Sequence, residues 1–429
     1  MEANAAGPAP LPGISLETWI VRFDKHGGNT SPDTPQVLLD RLAATPDSPV
    51  IVFSHGWNNN DKYATERYAK FLANLQTHFS THGGSARPPI FVGLRWPSMW
   101  FPFDKAPAAA GMANAEAVGL AQLKEELAEE LLEADRRRFR ALADLPRLSE
   151  SEVGELADLF GPSLQSLGAA DIEGAEASGI DRKSLLATLQ ALQADRDSPA
   201  DGGAVRGKDW YVDTLFPLRV LSVFVMKNRA GMVGRQGVSR LVRDILRKSR
   251  GPLHLIGHSY GAKVVLAAVA AQSLPRKVDS LLLLQPAISY LCFAEKVPER
   301  GLPGAYRIAL SRTAGSVAAT FSRWDSSLHW FYHRIMWMKN DPGELDVAAE
   351  ALDAAGAPPN RFAALGGYGP RDAGEILVSE LPMPGTATPA LREECLIAFD
   401  GSLGERISGH GDVSNTYTAW LLHQQMKKI

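Results

Sequence analysis
The chain has 429 residues, two cysteines and a formal net charge of −3, with 45% hydrophobic and 22% charged residues. That length admits one elaborated α/β domain or two, the charge balance disfavours a nucleic-acid partner, and two cysteines are too few for a disulfide framework or a thiolate metal site. The opening "MEANAAGPAPLPG" lacks a basic stretch followed by an apolar run, and no segment reaches the ~18 uninterrupted apolar residues of a membrane helix, so a soluble, cytoplasmic protein is expected.

In chain order, short apolar runs bounded by turn residues predict strands at "TWIVRF" (18–23), "PVIVFSHG" (49–56) and "PPIFVGLRW" (88–96), with a helix over 61–79 between the last two. A long interruption follows. From 101 to 235 the pattern is first charged and helical, with Leu120, Leu123, Leu127 and Leu131 on one face, and Ser149 with Glu152 forms a capping box for a further helix. Gly/Ala/Asp-rich linkers (167–180 and 199–207) and an apolar, aromatic run (210–226) complete it. Alternation then resumes: helix 238–249, strand "PLHLIGHS" (252–259), helix 260–274, and strands "DSLLLLQP" (279–286), "SVAATFSRWD" (316–325) and "CLIAFDGS" (395–402). A Gly/Pro/Ala-rich stretch, 340–370, reads as a loop with one short helix.

Strands apolar on both faces and alternating with helices indicate a doubly wound, mostly parallel α/β sheet. The expected organisation is a core from 1–100 and 236–429 with a helical insertion at 101–235. Trp96 and Trp100 in "RWPSMWFPF", together with the 214–226 run, flank that insertion and could line an apolar groove beneath it, pack simply as core, or form a hydrophobic contact between subunits. Lys227, Arg229 and Arg235 could attract an anionic head group or form a solvated basic face.

Within "HLIGHSYGAK" (254–263), Gly257-His258-Ser259-Tyr260-Gly261 is a G-x-S-x-G pattern set between an apolar strand and an apolar helix. The glycines permit a tight corner that exposes the Ser259 oxygen, and the following helix aims free N–H groups at charge developing there. On these residues the chain resembles the α/β-hydrolase superfamily of esterases, lipases and related acyl hydrolases, over nearly all the strands named above.

The resemblance implies an acid and then a histidine after the serine in chain order. Of ten histidines, only His410 and His423 follow the last predicted strand. His410, in a glycine-flanked loop before a C-terminal helix, matches the family's catalytic position, whereas His423 lies inside that helix and suits packing or the surface. Asp325 is favoured as the acid, with Glu295, Glu299 and Asp400 as alternatives. The turn His55-Gly56-Trp57 resembles the family's oxyanion turn, which implies Trp57 and Tyr260 N–H groups as the donors, with His55 itself a buried structural residue and Asn58 and Asn59 holding the turn. The implied function is a serine hydrolase of carboxylic esters acting through Ser259, His410 and Asp325 and an acyl-enzyme, needing no metal or organic cofactor. Thioester or amide hydrolysis, a lipase working at a membrane surface, or a non-catalytic scaffold that binds partners remain open alternatives.

Overall fold
The computed structural model describes residues 6–31, 33–56, 61–98, 112–165, 182, 185–186, 189, 211–298, 300–332, 363–386 and 394–427. Each apolar run read as a strand forms one. The described strands are β1 (Thr18–Arg22), β2 (Val50–Ser54), β3 (Ile90–Arg95), β4 (Arg147–Ser149), β5 (Tyr211–Asp213), β6 (Leu253–His258), β7 (Ser280–Leu284), β8 (Val317–Phe321), β9 (Ile376–Val378) and β10 (Leu396–Asp400). Eight of them make one sheet in the order β1-β3-β2-β6-β7-β8-β10-β9, parallel throughout, while β4 and β5 pair antiparallel on their own.

The two-residue period of a strand sends alternate side chains to opposite faces, and both faces here are apolar. Val50, Val52, Leu253, Leu255, Leu281 and Leu283 enter one core; Ile51, Phe53, Ile256, Leu282 and Leu284 enter the other. Helix α1 (Thr34–Ala44) covers the first face through Leu38 and Leu42, and α2 (Asp61–His82) covers the second through Tyr68, Phe71, Leu72 and Leu75. The result is an α/β fold with a parallel central sheet between two helical layers.

The helical interruption contains α3 (Met112–Ala128), α4 (Glu133–Ala143) and α5 (Glu150–Gln165). Leu123, Leu127 and Leu131 are buried together with Phe139, Leu156 and Phe160, as the spacing predicts. The capping box is present: the Ser149 N–H and hydroxyl both donate to Glu152 Oε2 at 2.7 Å, and the Glu152 N–H returns to Ser149 Oγ at 3.4 Å. Beyond β5 the chain is helical without a break through α6 (Leu215–Met232), a π-helical stretch (Val233–Val238) and α7 (Ser239–Lys248), so position 235 falls inside a continuous helix. The apolar run at 210–226 supplies β5 and the first part of α6, where Leu218, Val220, Leu221 and Val223 are buried as core.

Arg229 forms neither an anion-attracting patch nor a solvated face. It is buried and bonds Glu126 of α3 (2.9 Å), Glu130 in the turn after α3 (2.7 Å) and the Pro97 carbonyl, clamping the end of α3 to α6. Lys227 is buried as well. Among the described residues no helix is long and apolar enough to cross a membrane. Both Gly-rich linkers, Glu299, and 340–362 of the second excursion lie outside the described residues; its end supplies a one-turn helix, Leu365–Tyr368.

Candidate active site
Ser259 follows β6 directly and precedes α8 (Tyr260–Ala270), with φ 55° and ψ −124°. A non-glycine residue there stores roughly 1–3 kcal/mol of strain, which surrounding contacts must hold. They are close. A Cβ on Gly261 would lie 2.2 Å from the Ser54 carbonyl oxygen, and one on Gly257 would lie 2.5 Å from Ala262 Cα, so the glycines let β2, β6 and α8 meet at the corner. The Ser259 N–H is secured by the Leu284 carbonyl at 3.0 Å.

The three residues from distant parts of the chain converge. His410 Nε2 is 2.8 Å from Ser259 Oγ, and His410 Nδ1 is 2.7 Å from Asp325 Oδ2. An ionised carboxylate only accepts, so Nδ1 carries the proton and Nε2 is left as acceptor for the serine hydroxyl. Asp325 is wholly buried in the turn after β8, where its Oδ1 accepts the Leu328 N–H at 3.0 Å and Oδ2 also accepts from Gln285 Nε2 at 3.0 Å.

The loop carrying His410, between β10 and α9 (Thr416–Lys427), is pinned on several sides. His258 Nε2 bonds the His410 carbonyl at 2.8 Å, Arg67 Nη1 donates to the Gly411 carbonyl at 3.0 Å, and Ser322 Oγ donates to the Ile407 carbonyl at 2.8 Å. Asn415 Oδ1 accepts the Tyr417 and Thr418 N–H groups at 3.1 Å each, capping α9 and fixing where the loop ends.

The His55-Gly56 turn after β2 lies against the serine: a Cβ on Gly56 would be 2.5 Å from Ser259 Cβ and 2.9 Å from the His258 carbonyl oxygen. The Tyr260 N–H is the first of α8, and the Tyr260 hydroxyl donates to the Val223 carbonyl at 3.1 Å, tying the helix to α6. Trp57, Asn58, Asn59 and Trp100 lie outside the described residues. Burial pushes His55 down to about 3, and its neutral ring bonds the Gly56 carbonyl at 2.9 Å and stacks on Trp96 at 5.4 Å. Trp96 is itself buried, its indole N–H shared between Ser54 Oγ and the His55 carbonyl at 3.2 Å each, so in this structure it braces the turn.

Among the alternative acids, Glu295 pairs with Arg307 at 2.9 Å and Asp400 accepts the Ser402 N–H at 2.8 Å, whereas Asp325 contacts His410. His423 is fully buried, bonding the Gly83 carbonyl at 2.8 Å. Sequence reasoning missed Gln285, His258 and Arg67. Gln285 follows an apolar strand, His258 is a variable position inside the G-x-S-x-G pattern and Arg67 is one charged residue of an amphipathic helix, and such positions do not announce what they touch. Among the described residues no group of three or more His, Cys, Asp or Glu side chains could hold a metal ion. Comparison with protein-family models, curated proteins and solved structures finds no match.

Proposed function
We propose that this chain is a serine hydrolase of the α/β-hydrolase type, cleaving carboxylic esters through an acyl-enzyme. One observation carries this reading: the continuous hydrogen-bonded relay Ser259–His410–Asp325 at the C-terminal edge of the sheet. The arrangement around it supports the same reading. Ser259 ends the central strand β6, a His-Gly turn ends the neighbouring β2, and acid and histidine follow β8 and β10 in the order serine, acid, histidine.

In this mechanism Ser259 Oγ attacks the ester carbonyl while His410 Nε2 takes its proton. Asp325 stabilises the imidazolium that forms, and the Tyr260 N–H, with that of Trp57, receives the oxyanion. His410 then returns the proton to the departing alcohol, and a water activated by the same ring hydrolyses the acyl-enzyme. Helices α3 to α5 are assigned as the cap of this site, with Arg229 tying α3 to α6, whose Val223 carbonyl accepts the Tyr260 hydroxyl.

The test is hydrolysis of p-nitrophenyl esters from acetate to palmitate, with Ser259→Ala as control and labelling by a fluorophosphonate probe. Serine-dependent turnover and labelling at Ser259 are expected. Absence of both would move the chain to a non-catalytic scaffold; labelling without turnover would keep the nucleophile and reject the ester class.

A further inference from the structure
Gln285 stands immediately after β7, wholly buried, with φ 42°. That is left-handed backbone, where glycine or asparagine is at ease and glutamine is strained, and Pro286 next in line disfavours the ordinary helical region at 285. Such a conformation persists in the interior only where surrounding contacts hold it.

Every polar atom of that side chain is committed. Its Nε2 donates to the Gly366 carbonyl and to Asp325 Oδ2, at 3.0 Å each; its Oε1 accepts from Thr320 Oγ1 at 3.0 Å; and its backbone N–H donates to the same Thr320 oxygen at 3.0 Å. Both partners of Nε2, a carboxylate oxygen and a backbone carbonyl, only accept, so the amide NH₂ must face them and Oε1 is left towards Thr320, whose hydroxyl donates to it. The amide therefore has one possible orientation. Gly366 gives the close approach this needs, since a Cβ there would sit 2.4 Å from the Gln285 carbonyl carbon.

We infer that Gln285 is a positioning residue for the triad: its amide N–H holds the Asp325 oxygen that receives the His410 N–H. Asp325 Oδ2 has two donors in fixed directions, Gln285 Nε2 and His410 Nδ1, and Oδ1 has the Leu328 N–H, so the carboxylate cannot swing about its χ2 axis. Gln285 follows β7, Thr320 lies in β8 and Asp325 follows β8, so this support comes from the ends of sheet strands and not from the loop that carries the histidine. Gln285 touches no reacting atom and acts through Asp325 alone. The inference rests on the serine-hydrolase reading for its kinetic consequence, but the geometry it describes has a readout of its own.

Gln285→Met keeps the volume and removes both donors; Thr320→Val leaves Gln285 in place and removes the hydroxyl that anchors its Oε1. With p-nitrophenyl butyrate, Gln285→Met is expected to lose about 10- to 100-fold in kcat with KM unchanged, the worth of one bond to a buried charge, and Thr320→Val a smaller loss of the same kind. The proton NMR signal of the His410 Nδ1–H, assigned by its loss in His410→Gln, gives the second readout. Removing the competing donor to Oδ2 in Gln285→Met, or loosening it in Thr320→Val by taking away the anchor of the Gln285 amide, should move that signal downfield, the first by more than the second. An unchanged kcat and an unmoved resonance in the two variants would overturn the role of Gln285. If Gln285→Met does not fold, Thr320→Val decides alone. If the wild-type protein neither hydrolyses the ester nor takes up the fluorophosphonate, the hydrolase reading fails, and the resonance still tests the contact.

Discussion

Acidification should unfold this protein in a range set by its buried histidines. Two of them, His55 beside the serine corner and His254 near the start of β6, are buried, and burial lowers them from the ordinary 6.5 to about 3 and about 4. Below pH 6.5 the unfolded chain takes up protons that these folded rings refuse, so their contribution is complete above 6.5 and lost as the pH falls towards their folded values. At pH 5, about 1.5 units below 6.5, each costs about 2 kcal/mol, or about 4 kcal/mol together, a large share of the ~5–15 kcal/mol that holds a domain folded. His258 is displaced in the same direction by burial and adds to the loss. Glu17, held below its ordinary 4.5 by Arg41, acts at lower pH and leaves this window clear.

The assay is urea unfolding at pH 8 and pH 5, followed by tryptophan fluorescence. A His254→Asn variant keeps a polar atom near Ser280 Oγ, which lies 2.8 Å from His254 Nδ1, and should recover about 2 kcal/mol of the difference. Equal stability at the two pH values, or an identical pH dependence in His254→Asn, would refute the reasoning.

Three further outcomes are expected. Asp325→Asn presents an amide to the His410 Nδ1 that Asp325 Oδ2 now meets at 2.7 Å, and should lower kcat by about 10³ to 10⁴ with the fold intact; a wild-type rate would remove Asp325 from the relay. Gly56→Ala drives a Cβ to 2.5 Å from Ser259 Cβ, so the corner must shift, and fluorophosphonate labelling should slow about 100-fold; labelling within twofold of wild type would show that the turn does not govern the nucleophile. Glu126→Gln combined with Glu130→Gln leaves the buried Arg229 guanidinium without a counter-charge and should cost about 3 kcal/mol by urea unfolding, whereas a loss below about 0.5 kcal/mol would mean the clamp is unimportant.

Much of the architecture is legible in local sequence because its causes are local. A run such as "DSLLLLQP" has no polar face to show to water, so it must be a strand covered on both sides, as β7 is. β9 went unread because three half-exposed residues at a sheet edge carry no pattern long enough to recognise. Likewise, the boundary placed at 235 follows a change in composition, but backbone hydrogen bonding continues through it, since the apolar face of α6 and that of α7 belong to one core.

For the site, the residue types and their order along the chain were determined by sequence: a serine between small residues at a strand-to-helix corner, a late histidine in a glycine-flanked loop, and an aspartate at the end of a strand. Convergence was decided only by tertiary structure, because Ser259 and His410 are separated by 151 positions and a parallel sheet alone carries both to the same edge. Tertiary structure also decided which carboxylate meets the histidine and assigned Gln285, His258 and Arg67 to its support. The physical reason is that strand and corner formation depends on neighbours in the chain, whereas a hydrogen bond between side chains depends on where distant strands end.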